Sequence, residues 1–172
     1  MKRYLLLISM LAAFVAESAA REVYRLNDDW TFYFRSENSA DDARNITLPH
    51  TWNDTDAAVG RLDYYRGIGN YFRYLKARPE WRGKRVFVRF YGAGTVADLM
   101  VNGRHAGEHR GGNNAFEFEI TDLLDYGGKN LLWVIVNNGA RLDVLPTAGE
   151  ENVYGGLFRQ AEIIVTEPAA IG

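Results

Sequence analysis

The sequence contains no cysteine. That excludes a disulfide framework, thiolate metal sites, a cysteine nucleophile and attachment through a lipidated cysteine. A surplus of either charge is also missing, since 20 Lys plus Arg stand against 22 Asp plus Glu, a formal net charge of −2. A general nucleic-acid binder needs a basic excess to neutralise phosphates, so that class is disfavoured. Long apolar runs are absent beyond the N-terminus. Tyr4 to Val15 is nearly unbroken apolar sequence, but it falls short of the ~20 residues needed to span hydrocarbon. With Met1-Lys2-Arg3 before it and Ser18-Ala19-Ala20 after it, residues 1–20 are expected to be an export signal cleaved near Ala20. The mature protein is then expected in a bacterial periplasm or secreted, with no membrane anchor. What remains of the 172 residues suits one domain, and about 150 residues can bury about 68–70% of their extended-chain surface.

Helical periodicity is scarce too. No stretch supplies crossover helices, which excludes a doubly wound parallel sheet. Short strand patterns fill the chain instead: Val23–Leu26, Thr31–Phe34, Ile46–Leu48, Tyr71–Ala77, Arg85–Tyr91, Thr95–Val101, Arg104–His109, Ala115–Ile120, Asn130–Val136 and Phe158–Thr166. Arg85–Tyr91 alternates with Val86, Val88 and Phe90 on one side, and Phe116, Phe118 and Ile120 turn inward with Glu117 and Glu119 outward. Asn130–Val136 is apolar on both faces, as a central strand is. Asn102-Gly103 is a strong two-residue hairpin signal. Together these predict an all-β fold, a sandwich of two antiparallel sheets.

No P-loop, HExxH run, nucleophile elbow or dinucleotide fingerprint is present. Gly92-Ala93-Gly94 and Arg110-Gly111-Gly112 lack a strand–helix context and read as turns. His105 and His109 are four apart, which on a strand places them on the same side about 13 Å apart, too far to share a transition metal. No cofactor is expected. A structural calcium held by scattered Asp and backbone carbonyls suits sandwiches, but no spacing specifies one. Glu150-Glu151 and Asp41-Asp42 are adjacent, so their side chains diverge on an extended chain, and Glu117 and Glu119 share a solvated face. A glycosidase needs two carboxylates facing each other across a bond, and no such pair is specified. Aromatic residues beside polar ones can bind sugars. Trp52, Tyr64, Tyr65 and Trp81 lie in or next to predicted loops, where packing and ligand contact are both open to them.

The ordered motifs Leu48-Pro49-His50-Thr51-Trp52-Asn53, Gly69-Asn70-Tyr71-Phe72-Arg73-Tyr74, Val86 through Gly92, Ala97 through Gly103, Gly107 through Gly112, Phe116 through Asp122, Asn130 through Asn138 and Val153 through Arg159 closely resemble the N-terminal sugar-binding domain of glycoside hydrolase family 2. That is the family of bacterial β-galactosidases, β-mannosidases and β-glucuronidases. The resemblance covers nearly all of residues 21–168 and implies a jelly-roll sandwich. It implies a hairpin at Asn102 and Gly103, a turn capped by Thr121, a close bend at Gly155 and Gly156, and a bridge from Arg159 to a carboxylate of the sandwich or of a neighbouring domain.

The resemblance further implies that one end of the domain leans over the active-site mouth of a (β/α)8 barrel, reached through an immunoglobulin-like domain. Glu150 matches an acidic sugar contact, and the segment Gly67 to Asn70 lies near that mouth. With Trp52 and Tyr64, Glu150 and Asn70 are the candidate contacts to a β-linked sugar. Both catalytic Glu residues of the family sit on the barrel and have no counterpart here. The implied role is therefore a non-catalytic domain of a longer retaining β-glycosidase, with residues 169–172 starting the linker. The rival role is a free-standing periplasmic carbohydrate-binding module.

Overall fold

Alternation sets the layers. In β5 (Arg85–Phe90), Val86, Val88 and Phe90 are fully buried while the intervening Arg85, Phe87 and Arg89 stay partly exposed. The computed structural model describes residues 21–34, 43–54, 65–141, 143–144 and 154–168. The expected leader at 1–20, Tyr64, Glu150 and the expected linker start at 169–172 lie outside the described residues.

The other strands are β1 (Glu22–Arg25), β2 (Trp30–Phe34), β3 (Arg44–Ile46), β4 (Ile68–Lys76), β6 (Val96–Val101), β7 (Arg104–Arg110), β8 (Phe116–Glu119), β9 (Lys129–Asn137) and β10 (Ala161–Thr166). They form a four-stranded sheet in the order β1-β10-β5-β8 and a six-stranded sheet in the order β3-β2-β4-β9-β6-β7. Every paired neighbour is antiparallel. Helix is confined, among the described residues, to single 3-10 turns at Pro79–Trp81 and Thr121–Leu123. No helix among them is long and apolar enough to cross a membrane.

The core lies between the sheets. Trp30, Phe32 and Tyr71 of the larger sheet meet Val88, Phe90 and Ile163 of the smaller, all at 1% exposure or less. Each such side chain contributes about 1.5–3 kcal/mol. As its two apolar faces predict, β9 is central, hydrogen-bonded to β4 on one side and β6 on the other.

Several local expectations are corrected. The strand expected from Tyr71 begins at Ile68, because β2 and β9 offer ladder partners on both sides, Tyr33 and Ile135 opposite Asn70. The segment Gly67–Asn70 is therefore mostly strand and not loop. The last strand begins at Ala161 instead of Phe158, because Gly155, Gly156 and Leu157 give their carbonyls to Trp52, Gly94 and His50. The spacing of His105 and His109 is upset by a bulge opposite Leu99 and Met100. Ala106 is the extra residue, so His105 turns outward to Asp98 at 3.1 Å while His109 stacks on Phe116 at 3.9 Å.

The hairpin is as expected. Asn102 and Gly103 take φ of 52° and 78°, the two positive values of a type I′ turn. Thr121 caps no helix end. Its hydroxyl accepts from the Val86 amide at 3.0 Å and donates to Glu119 at 2.9 Å, so the orphan amide it satisfies belongs to β5. Arg159 reaches no carboxylate among the described residues. Its guanidinium donates to the carbonyls of Tyr91 and Asn113 at 3.3 and 3.2 Å. Thr121→Val should destabilise the domain by about 1–3 kcal/mol, because a buried amide loses its acceptor. Thr121→Ser should retain most of that stability, and urea unfolding of the variants measures the difference.

Candidate functional site

Where β4 begins and β9 ends, three backbone segments meet around buried amide side chains. Asn53 is 3% exposed and Asn138 fully buried. Asn53 donates from Nδ2 to the Tyr65 carbonyl at 3.0 Å and accepts at Oδ1 from the Gly155 amide at 2.7 Å. Asn138 donates to the same Tyr65 carbonyl at 3.2 Å and accepts from the Gly67 amide at 2.8 Å. Trp52 adds a third donor to that carbonyl, Nε1 at 3.3 Å. A buried primary amide is costly unless its donors and acceptor are all used. Here that requirement ties the Trp52, Tyr65 and Gly155 segments to the end of β9.

An aromatic cluster supports this end from below. Trp52 stacks on Phe32 at 5.9 Å and meets Phe34 edge-on at 5.6 Å, and Phe34 carries the Tyr65 ring at 4.9 Å. Gly155 leaves no room for a side chain, since a Cβ there would overlap the Trp52 indole. Gly156 has φ of 105°, and a Cβ there would stand 2.5 Å from Tyr71 Oη. The close bend expected at both glycines is thus present, with a specific reason at each.

Beside it, Tyr71 Oη accepts from the Leu157 amide at 3.3 Å and lies 2.7 Å from His50 Nδ1. Burial pushes the Tyr71 pKa up, keeping the hydroxyl protonated. We assign its proton to His50 Nδ1, which makes the imidazole the neutral Nε2–H tautomer. Burial, with Arg44 nearby, lowers the His50 pKa to about 4.

Among the expected sugar contacts, Trp52 and Asn70 are 6% and 4% exposed. Asn70 Oδ1 accepts from Trp133 Nε1 at 3.0 Å. Both therefore hold the scaffold, and neither presents a free surface. Tyr64 and Glu150 fall outside the described residues. Asn53, Asn138 and Tyr71, which organise this end, were not singled out from the sequence. Their only signal was position: an asparagine directly after Trp52, another closing an apolar strand, and a tyrosine inside an alternating one. The carboxylates of β8 are engaged with arginines on the outer sheet face, Glu117 with Arg89 at 2.6 Å and Glu119 with Arg85 at 2.7 Å. No cluster of metal-ligating side chains occurs among the described residues.

The profile described as glycosyl hydrolases family 2, sugar binding domain, matches residues 20–167. The chain belongs to that family. It is similar to a β-glucuronidase of Bacteroides fragilis, 50% identical over 153 residues, which cover 89% of this chain and 22% of the relative. A β-galactosidase of Thermoanaerobacter pseudethanolicus is 32% identical over 149 residues, covering 81% of this chain and 20% of that protein. A solved structure of a Bacteroides uniformis β-glucuronidase superposes with a TM-score of 0.75 at 34% identity, over 86% of this chain and 18% of that one. The chain thus spans about a fifth of the length of these relatives.

Two outcomes follow from the geometry. Asn53→Ala should destabilise the domain by about 2–3 kcal/mol in urea unfolding, since the Gly155 amide loses its acceptor and the Tyr65 carbonyl one of its donors. His50 has a folded pKa of about 4, below its ordinary 6.5, so the unfolded chain takes up its proton first as pH falls. Its contribution to stability is present above pH 6.5 and declines between 6.5 and 4. His50→Asn keeps an acceptor for Tyr71 without titrating, so its stability should fall less than wild type across that interval in thermal melts.

Proposed function

We propose that this chain acts as the N-terminal, non-catalytic domain of a longer retaining β-glycosidase acting on a β-linked sugar such as a glucuronide or galactoside. Its partners in that protein are an immunoglobulin-like domain and a (β/α)8 barrel, and the end built on Asn53 and Asn138 borders the mouth of the barrel's active site. Residues 1–20 act as an export signal, placing the protein in the periplasm or outside the cell. No cofactor enters this role.

The observation that carries the reading is the exterior of the six-stranded sheet. Tyr33, Phe72 and Trp133 stack across β2, β4 and β9, with centroids 5.3 and 5.4 Å apart and interplanar angles of 10° and 16°. Met100 stands opposite Trp133 on β6, and Leu131 and Ile135 flank it on β9. Rings stacked in this way cover one another's faces and present edges outward. A sugar platform needs an open ring face, whereas an apolar edge-lined sheet suits packing against another protein surface. The geometry therefore favours a docked domain over a free-standing carbohydrate-binding module. Retaining hydrolysis needs two carboxylates about 5–5.5 Å apart across a sugar, and Glu117 and Glu119 of β8 are instead paired with arginines.

The test is a graft. Residues 21–168 replace the matching fifth of the Bacteroides fragilis β-glucuronidase, and turnover is measured on an aryl β-glucuronide. The graft should be active and the free chain inactive. Turnover by the free chain, or a folded but inactive graft, would overturn the reading. Phe72→Ser should lower the melting temperature of the graft more than that of the free chain, by the equivalent of about 1–3 kcal/mol of lost burial.

A further inference from the structure

We infer that the cleft between β1 and the far end of β4 is a binding site for a small oxyanion-bearing ligand, with the Arg73 guanidinium as its anchor. The cleft lies at the end of β4 away from Asn53 and takes no part in the domain role proposed above, so either can fail without the other.

It opens between the two sheets and encloses about 300 Å³, at the lower limit of the roughly 300–1,000 Å³ of small-ligand pockets. Ten residues line it, four of them cationic (Arg25, Arg73, Lys76 and Arg78) and none acidic. On other faces cations have carboxylates: Lys84 has Glu22 and Glu167, Arg85 has Glu119, and Arg89 has Glu117. Arg25, Arg73 and Lys76 form no ion pair among the described residues. Arg78 reaches only Glu80, at 3.8 Å between two exposed side chains. Glu22, next to Tyr24 on the same strand, is already held by Lys84 and the Tyr24 hydroxyl.

Arg73 is set apart by its mounting. Strand alternation puts it on the inward side of β4 with Tyr71 and Leu75. Its Nε donates to the Asp28 carbonyl at 2.7 Å and its Nη1 to the Tyr74 carbonyl at 3.2 Å, while Nη2 has no partner among the described residues. Two carbonyls thus fix the plane of the fork and leave one amino group for a ligand. Burial lowers the Arg73 pKa, and the charges of Asp29 and Asp28 offset this only in part. The charge therefore sits where water solvates it poorly, and an anion relieves that cost.

The facing wall is aromatic. The 3-10 turn Pro79–Trp81 brings the Trp81 amide to the Arg78 carbonyl at 3.1 Å. Both side chains then reach the Tyr24 ring, the Arg78 guanidinium at 4.3 Å and the Trp81 indole at 5.3 Å. A guanidinium stacked on a ring keeps its N–H edge available to an oxyanion. Trp81 is 2% exposed, and its indole N–H is buried without a partner among the described residues. The indoles of Trp30, Trp52 and Trp133 each have an acceptor. An orphaned donor against a cationic cleft fits a site for an acceptor-rich ligand. A carboxylate or phosphate offers acceptors alone, in a geometry that matches arginine forks.

The experiment is nuclear magnetic resonance of the full chain, titrated at low ionic strength with inorganic phosphate and, separately, with succinate. Sodium chloride at matched ionic strength is the control. The Trp81 indole N–H resonance should shift saturably with at least one oxyanion, with half-saturation on the order of 1 mM. The Trp133 indole, on the outer face of the six-stranded sheet, should stay still. Tighter binding of phosphate assigns the ligand a phosphate group, and tighter binding of succinate a carboxylate. Arg25→Gln, an exposed change, should weaken binding about three- to fivefold, and Arg73→Gln at least about tenfold. Arg85→Gln, whose ion pair lies on the outer face of the other sheet, should leave affinity unchanged. If Arg73→Gln fails to fold, Arg25→Gln and Arg78→Gln carry the test. An equal shift with chloride, no saturable shift with either oxyanion, unchanged affinity in Arg25→Gln and Arg78→Gln, or an equal loss in Arg85→Gln would overturn the inference.

Discussion

Buried primary amides must have every donor and acceptor matched, and that constraint shapes the end of this domain where β4 begins and β9 ends. Asn53 and Asn138 lie in the interior, where an unpaired amide would be strongly unfavourable. Their partners include the Tyr65 carbonyl, the Gly67 amide, the Gly155 amide and each other. Segments far apart in sequence are therefore held in one arrangement by buried groups that must be paired. The aromatic cluster of Phe32, Phe34 and Trp52 removes water from beneath this network, which strengthens each hydrogen bond in it. The His50–Tyr71 pair extends the same logic to the Leu157 amide.

The two sheets share a core but differ on their outer faces. The four-stranded sheet carries Arg–Glu rungs between β5 and β8, exposed pairs that add little stability and are compatible with solvent. The six-stranded sheet carries a ladder of stacked aromatics with aliphatic neighbours. Such an asymmetry has a physical consequence: one exterior tolerates water, and the other gains from a partner. The relatives are about five times the length of this chain.

Much of the fold was legible from side-chain alternation. Val86, Val88 and Phe90 announced an inward face, Asn102-Gly103 a tight hairpin, and the doubly apolar β9 a central position. Each is local, because a strand's period and a turn's positive φ depend on adjacent residues. The errors came where a partner strand or loop intervened. Asn70 joined β4 because Tyr33 and Ile135 lie on either side of it. Ala106 bulged and separated the two histidines onto opposite faces. Thr121 served the amide of Val86, 35 residues away.

The amino-acid sequence by itself determined the class of fold, the family, and the absence of thiol, disulfide and strongly basic chemistry. Composition and short-range pattern suffice for these. Only the tertiary structure decided which polar and aromatic groups are buried. A solvated loop asparagine and a buried one look identical in a sequence, and so do Trp52 and Tyr65. Burial is a property of what packs over a residue, and at this end of the sandwich the covering groups arrive from Phe32, Gly155 and Asn138, brought together by the closing of the two sheets.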